Sequence, residues 1–197
     1  TILDFSTQTS AGLYDRLTVD ADGHFVPASA PSRRVRLMGA NLCYNANTFD
    51  GVESLGVTSS QMCDRVAATF RRMGYNAVRF HHLDVTLMNG QWNGFWDRKT
   101  FPGFDPAQRK RFDYMLYACK KQGLYVTLDL YAMGCIGVVP GIEGTVYGDI
   151  KGLVPICPAA YDVWFKEAME FLNHVNPYTG LAWKDDPALY AICPLNE

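Results

Sequence analysis

The sequence lacks the features that mark several common classes of protein. No run of 18 apolar residues occurs, so no membrane span is predicted. Basic residues show no surplus, since 18 Lys and Arg stand against 20 Asp and Glu, and nucleic acid is therefore not expected as a partner. The phosphate-binding patterns GxGxxG, GxxxxGKS and GxxxxGKT are all missing, so the nucleotide-binding folds lose their main signature and no cofactor is predicted.

The six cysteines form no CxxC pair and no Cys/His spacing typical of a zinc site. Cys63 and Cys119 stand at apolar positions of predicted helices and Cys193 lies in a predicted buried strand, so all three are expected to be small core residues. Cys135 and Cys157 bracket one long loop, which leaves a single disulfide open as an alternative.

What the sequence does contain is an alternation of strand and helix signals. A hairpin is predicted at residues 16–26, because the segment from Asp20 to Gly23 supplies a turn. Strands are then predicted at residues 35–41, 76–80, 124–130 and 188–193, and helices at 59–73, 106–122 and 159–175.

The predicted helices have recognisable ends and apolar faces. Ser59 or Ser60 is expected to cap the first helix, and Asp105 the second, where Pro106 suits the first turn. The buried face of the third helix is expected to contain Trp164, Phe165, Ala168, Phe171, Leu172 and Val175.

This order predicts an α/β fold with parallel strands, either a doubly wound sheet or a TIM (β/α)8 barrel. The loops after the strands, at residues 42–58, 81–104 and 131–158, are long, whereas those before the strands are mostly short. Such asymmetry favours a barrel whose site lies at the carboxyl ends of its strands. Residues 1–33 are predicted to be an N-terminal hairpin extension, and 34–197 the first four βα strands of the barrel.

Polar side chains stand near the end of each predicted barrel strand. In chain order they are Asn41, then Arg79 with His81 and His82, then Asp129 with Tyr131, and finally Asn196 with Glu197. A strand end has no general structural need for Arg, His or Glu, so the set indicates a binding or catalytic site. The alternative is that these are rim residues in solvated ion pairs.

Four segments around these residues resemble a known group of enzymes. They are MGAN at 38–41, GYNAVR at 74–79, VTLD at 126–129, and PALYAI at 187–192 followed by Asn196 and Glu197. Together they resemble the cellulase-like retaining glycoside hydrolases, the (β/α)8 enzymes related to glycoside hydrolase family 5. The resemblance covers about residues 34 to 197.

The resemblance implies a role for each matching residue. Glu197 would be the general acid/base, Asn196 would bind the sugar 2-hydroxyl, and Arg79 would support the nucleophile carboxylate. His81 or His82 and Tyr131 would line the sugar subsites. The family's nucleophile is a Glu at the end of strand seven, which no residue here matches, so we expect it, with the remaining half of the barrel, outside this chain.

Aromatic residues in the loops would complete a carbohydrate site. Trp92 and Trp96 follow the second barrel strand, and their rings could form a platform for sugar rings, or instead pack in a small cluster of their own. The expected partner is an oligo- or polysaccharide, and the resemblance implies an extracellular or periplasmic location.

Two alternatives remain open. One is a barrel that binds carbohydrate without cutting it. The other is a metal-dependent hydrolase using His81 and His82, although only His24 and His174 occur elsewhere, so no metal is predicted.

Overall fold

The computed structural model describes residues 3–8, 15–84, 105–132, 139, 141–142 and 151–196, together with the backbone of 86–88 and 91–93. The elements in chain order are β1 (Leu17–Val19), β2 (Phe25–Pro27), β3 (Gly39–Cys43), α1 (Ser59–Arg72), β4 (Ala77–His81), β5 (Thr86–Met88), β6 (Gln91–Asn93), α2 (Pro106–Lys121), β7 (Tyr125–Asp129), α3 (Pro158–Asn173) and β8 (Leu189–Cys193). None of the helices in the described part of the chain has the length and apolar character needed to cross a bilayer.

The strands β3, β4, β7 and β8 form one parallel sheet in that order. Each of the first three of these strands is followed by a helix that returns the chain to the next parallel strand, as the predicted alternation requires. Two antiparallel hairpins, β1–β2 and β5–β6, lie outside this sheet. The predicted α/β architecture, with a hairpin before four parallel barrel strands, is confirmed.

The two faces of the sheet differ in character because successive side chains of a strand point to opposite faces. Val78 and Phe80 of β4, like Val126 and Leu128 of β7, enter a large apolar core that also contains residues of all three helices. The opposite face, here called the inner face, carries the alternate residues, which include Arg79 and Asp129. One face therefore stabilises the fold while the other is available for polar groups.

The N-terminal hairpin covers the beginning of the inner face. Leu17 of β1 and Val35 pack with Ala77 and Tyr125, the first inner-face residues of β4 and β7. This apolar cluster closes the amino end of the sheet, so the carboxyl end is left for the polar residues. The domain boundary between residues 33 and 34 stays a prediction.

The predicted first barrel strand, residues 35–41, was placed too early. The strand β3 spans Gly39–Cys43, and the segment before it is held by backbone bonds to the Met38 carbonyl together with the side chain of Asn76. Asn76 accepts a hydrogen bond from the Met38 amide at 2.7 Å and donates one to the Arg36 carbonyl at 2.9 Å. Asn41 consequently lies in the middle of its strand.

Two helix details also differ from the predictions. Thr58, and not Ser59 or Ser60, caps α1 in a reciprocal capping box with Gln61, whereas Asp105 caps α2 as predicted. On α3 the predicted core residues Phe165 and Val175 are exposed, and Val163 is buried instead. Val175 lies beyond the end of α3, so the helical period no longer applies to it.

The two helix cysteines are core residues, as predicted. Cys63 of α1 and Cys119 of α2 are fully buried in the same core. Burial raises the pKa of Cys63 to about 12 and raises the pKa of Cys119 further. Cys157 is a free thiol, whereas Cys135 lies outside the described residues.

The buried thiols predict a loss of stability at high pH. The unfolded chain releases a Cys63 proton near its ordinary pKa of about 8.5, but the folded chain keeps it up to about pH 12. The stabilisation is therefore complete below the ordinary pKa and is lost as the pH rises towards the folded value. In urea unfolding above pH 9, the free energy of unfolding should fall more steeply for the wild type than for Cys63→Ala, by about 1.4 kcal/mol per pH unit, because that variant keeps only the contribution of Cys119. The matched variant Cys157→Ala should keep the wild-type slope, and parallel curves for wild type and Cys63→Ala would contradict the prediction.

Removal of the Asn76 side chain should weaken the fold. Asn76→Ala leaves the Met38 amide and the Arg36 carbonyl without their partner, and each lost buried hydrogen bond costs about 1–3 kcal/mol. We expect the free energy of unfolding to drop by about 2–4 kcal/mol in urea titrations. Asn173→Ala, at an exposed position on α3, is the control and should change stability by less than about 0.5 kcal/mol. Equal stability of the two variants would refute the role of Asn76.

Candidate active site

The polar residues of the inner face meet where the barrel strands end. The sheet register pairs Cys43 with His81 and Asp129 with Cys193, so these four residues are the last ones on the inner face at the carboxyl ends of the strands. Arg79 lies two residues before His81 on β4, and its side chain extends towards the carboxyl ends as far as Asp129. The strands β3, β4, β7 and β8 thus each contribute to one small polar region.

A bidentate ion pair occupies the centre of this region. Arg79 donates from Nε to Asp129 Oδ1 at 3.1 Å and from Nη2 to Asp129 Oδ2 at 2.6 Å. The Asp129 side chain is 0% exposed, whereas that of Arg79 is 42% exposed. The guanidinium therefore neutralises a buried carboxylate and still reaches the open side of the sheet.

The same arginine connects the second and fourth barrel strands. Nη2 of Arg79 also donates to Oδ1 of Asn196 at 2.8 Å, although these residues are 117 positions apart in the chain. Asn196 is held through its backbone as well, because its amide donates to the Tyr131 carbonyl at 2.9 Å. Two independent contacts thus fix the residue that directly precedes Glu197.

His81 is the second residue bound to Asp129. Its Nδ1 lies 2.5 Å from Asp129 Oδ2, and its side chain is 12% exposed. Asn47, which follows β3, donates from Nδ2 to the His81 carbonyl at 2.6 Å and so fixes the backbone there. The histidine is therefore held at both its ring and its main chain.

Electrostatic effects in the region follow from the Asp129 charge. The hydrogen bond from Arg79 to Asp129 raises the pKa of the guanidinium above its ordinary value. The pKa of the neighbouring Cys193 thiol is also raised, first by burial and then by the negative charge of Asp129. Arg79 consequently stays positively charged and Cys193 stays a neutral thiol.

A stacked pair of rings lies at the rim of the same region. Tyr44 and His82 directly follow β3 and β4, and their rings stack at 4.1 Å between centroids with planes 7° apart. Both residues adopt the left-handed backbone conformation, with φ values of 51° and 55°. Residues other than glycine rarely adopt this backbone conformation, and such strain is often found at functional sites. Sequence reasoning predicted His82 but missed Tyr44, whose position directly after a strand was the available signal.

Other predicted site residues have different surroundings. Asn41 lies on the inner face beside Arg79 in register, and its Nδ2 donates to Cys43 Sγ at 2.9 Å. Tyr131, predicted to line a sugar subsite, is fully buried in an apolar cluster with Val139 and Val163. Asp129, also predicted to bind substrate, is likewise fully buried.

Three predicted residues cannot be placed in this region. Glu197 and Trp96 lie outside the described residues. Trp92 belongs to β6, of which the backbone alone is described. Their predicted roles in catalysis and sugar binding stay predictions.

A cluster of metal-type ligands lies elsewhere, in the N-terminal hairpin. Ligand atoms of Asp20, Asp22 and His24 lie within 4.8 Å of one another. Asp20 Oδ1 already accepts hydrogen bonds from the Asp22 and His24 amides, so the cluster is accounted for by the turn.

Comparison with solved structures identifies the fold. The chain is similar to a glycoside hydrolase family 5 mannosidase from Rhizomucor miehei, with 14% identity and a TM-score of 0.66 over 91% of this chain and 48% of that chain. It is also similar to the endo-β-1,4-mannanase from Thermotoga petrophila, with 21% identity and a TM-score of 0.50 over 80% of this chain and 34% of that chain. The exo-β-1,4-mannosidase Op5Man5 from an Opitutaceae bacterium, strain TAV5, matches at 19% identity and a TM-score of 0.51, over 83% of this chain and 26% of that chain. No protein-family model and no curated protein matches the sequence.

At identities of this size the likeness shows the fold alone. The chain has a glycoside hydrolase fold, that of the family 5 (β/α)8 barrel, and it spans about half the length of the Rhizomucor miehei mannosidase. The predicted fold class and the resemblance drawn from the sequence motifs are confirmed at this level.

The central ion pair predicts a specific sensitivity to substitution. Arg79→Lys keeps the charge but loses the planar guanidinium, whose nitrogens bind Asp129 and Asn196 at the same time. The free energy of unfolding should therefore fall by about 1–3 kcal/mol. The control is Arg65→Lys on the exposed side of α1, which should be neutral within about 0.5 kcal/mol. Chemical denaturation of both variants measures the difference. An unchanged free energy of unfolding in Arg79→Lys would show that the guanidinium geometry does not contribute to stability.

Proposed function

We propose that this chain forms half of a retaining glycoside hydrolase that cleaves β-glycosidic bonds in an oligo- or polysaccharide. The observation that carries the proposal is the hydrogen bond from Arg79 to Asn196. It joins the residue that the resemblance assigns to support of the nucleophile carboxylate with the residue that it assigns to the sugar 2-hydroxyl. Because the similar solved structures are two mannosidases and a mannanase, β-1,4-linked mannosides are the first substrates to test.

Glu197 takes the role of general acid/base in this proposal. It directly follows Asn196, whose side chain and backbone are both held. A retaining mechanism needs a second carboxylate about 5–5.5 Å away, which attacks the anomeric carbon while the first group protonates the leaving oxygen. We assign that nucleophile to a segment outside these 197 residues.

Arg79 has the properties needed to support such a nucleophile. Two of its nitrogens bind Asp129 and Asn196, and Nη1 is the nitrogen with no hydrogen-bond partner among the described residues. A permanent positive charge beside a carboxylate favours its ionised form, which is the form that attacks. Asp129 does not suit the role of nucleophile, because it is fully buried and bound to two donors.

The proposed polysaccharide substrate also indicates where in or outside the cell the protein acts. Polysaccharides are degraded outside the cell or in the periplasm, so we propose an extracellular or periplasmic location.

The acid/base assignment can be tested with the protein that contains this chain and the remaining half of its barrel. Glu197→Gln should lower kcat on β-1,4-mannotriose by about 10²–10⁴-fold, because the leaving oxygen is no longer protonated. The loss in kcat/KM should be much smaller with a dinitrophenyl β-mannoside, because its leaving group needs no proton and kcat/KM does not include the later hydrolysis of the glycosyl-enzyme, in which the same residue acts as base. Glu170→Gln, at an exposed position of α3, is the control and should keep wild-type rates. Unchanged mannotriose turnover in Glu197→Gln would remove Glu197 from the mechanism.

A carbohydrate-binding barrel without catalysis is the second candidate. It is favoured by the lack of any residue among these 197 that matches the family's nucleophile. Binding of mannohexaose in calorimetry, with no release of reducing ends by the wild-type protein, would support it over the hydrolase.

A further inference from the structure

The hydrogens on Nε and Nη2 of Arg79 are all used in bonds to Asp129 and Asn196. Nε carries one hydrogen, which goes to Asp129 Oδ1. Nη2 carries two, and these go to Asp129 Oδ2 at 2.6 Å and to Asn196 Oδ1 at 2.8 Å. Although His81 Nδ1 lies 3.4 Å from Nη2, no hydrogen on that nitrogen remains for it.

The proton between His81 and Asp129 must therefore come from the histidine. An ionised carboxylate can only accept hydrogen bonds, so the 2.5 Å contact requires a hydrogen on His81 Nδ1. When the ring is neutral, its Nε2 then carries a lone pair and acts as an acceptor.

The orientation of the Asn196 amide follows by the same reasoning. Arginine is a permanent donor, so the atom of Asn196 that faces Arg79 is the oxygen. The amide NH2 group is then the part of Asn196 left to meet a ligand, and it can only donate.

We propose that Asp129 is a positioning residue that fixes the His81 tautomer directly and the Asn196 amide through Arg79, so that the site offers one acceptor and one donor to a hydroxyl group. A hydroxyl can donate to His81 Nε2 and accept from Asn196 Nδ2. This assignment of the ligand rests on the proposed function, whereas the positioning role of Asp129 does not.

A second pair of a buried Asp and a His in this chain serves as an internal reference for the pair of Asp129 and His81. Asp113 of α2 is a buried carboxylate that binds His174, but through Nε2, at 3.0 and 2.9 Å. The neutral His174 ring therefore carries its hydrogen on Nε2, which is the opposite tautomer to that of His81. Both tautomers are expected in one spectrum of the same protein.

The test is the ring ¹⁵N spectrum of the ligand-free chain at a pH where both rings are neutral, with signals assigned by His81→Gln and His174→Gln. We expect a protonated Nδ1 and an unprotonated Nε2 for His81, and the reverse for His174. A His81 ring protonated on Nε2, or an even mixture of tautomers, would overturn the proposal. Because no ligand is needed, this result does not depend on glycosidase activity.

Two matched variants then separate positioning from a general structural effect. Asp129→Ala should shift the His81 ring signals and the Asn196 side-chain NH2 signals and leave those of His174 in place. Asp113→Ala should do the opposite. Unchanged His81 and Asn196 signals in Asp129→Ala would refute the positioning role, and should that variant fail to fold, the wild-type tautomer decides the question.

Discussion

The region at the strand ends depends on one buried charge, the carboxylate of Asp129. Its side chain is fully buried, so an unpaired carboxylate there would be very costly. Arg79 and His81 both bind it, and Arg79 in turn reaches Asn196, which follows the fourth strand. A single requirement, that a buried carboxylate be neutralised, thus organises side chains of β4, of β7 and of the segment after β8 into one arrangement.

The rest of the fold serves to place this charge. The apolar face of the sheet packs on the helices, and the N-terminal hairpin covers the amino end of the inner face, so polar groups collect at the carboxyl end. Asn76 connects the segment before β3 with the start of β4. Asn47 holds the other end of β4 at His81. Side-chain amides therefore hold the backbone at both ends of β4, in addition to the sheet ladder.

The sequence predicted the order of elements and the residues near the site, but not their contacts. Helix α2 was predicted together with its Asp105 cap, since Asp followed by Pro is a strong local signal. The start of β3 was wrong, because the Asn76 contacts that hold the segment before it join residues 38 and 40 positions apart. The cap of α1 was wrong although Thr58 and Gln61 have the spacing of a capping box, since Ser59 and Ser60 are equally suitable capping residues by type. The Tyr44 conformation was missed because a positive φ at tyrosine has no sequence signature.

By itself the sequence determined the alternation of strands and helices, the apolar face of the sheet, and which polar residues stand near the strand ends, because these follow from periods of 2 and 3.6 residues and from local turn chemistry. The tertiary structure alone decided that Asp129 and Tyr131 are buried, and that Arg79 binds Asn196. The physical reason is that burial and hydrogen-bond partners depend on strands brought together in space, here across 117 residues of chain.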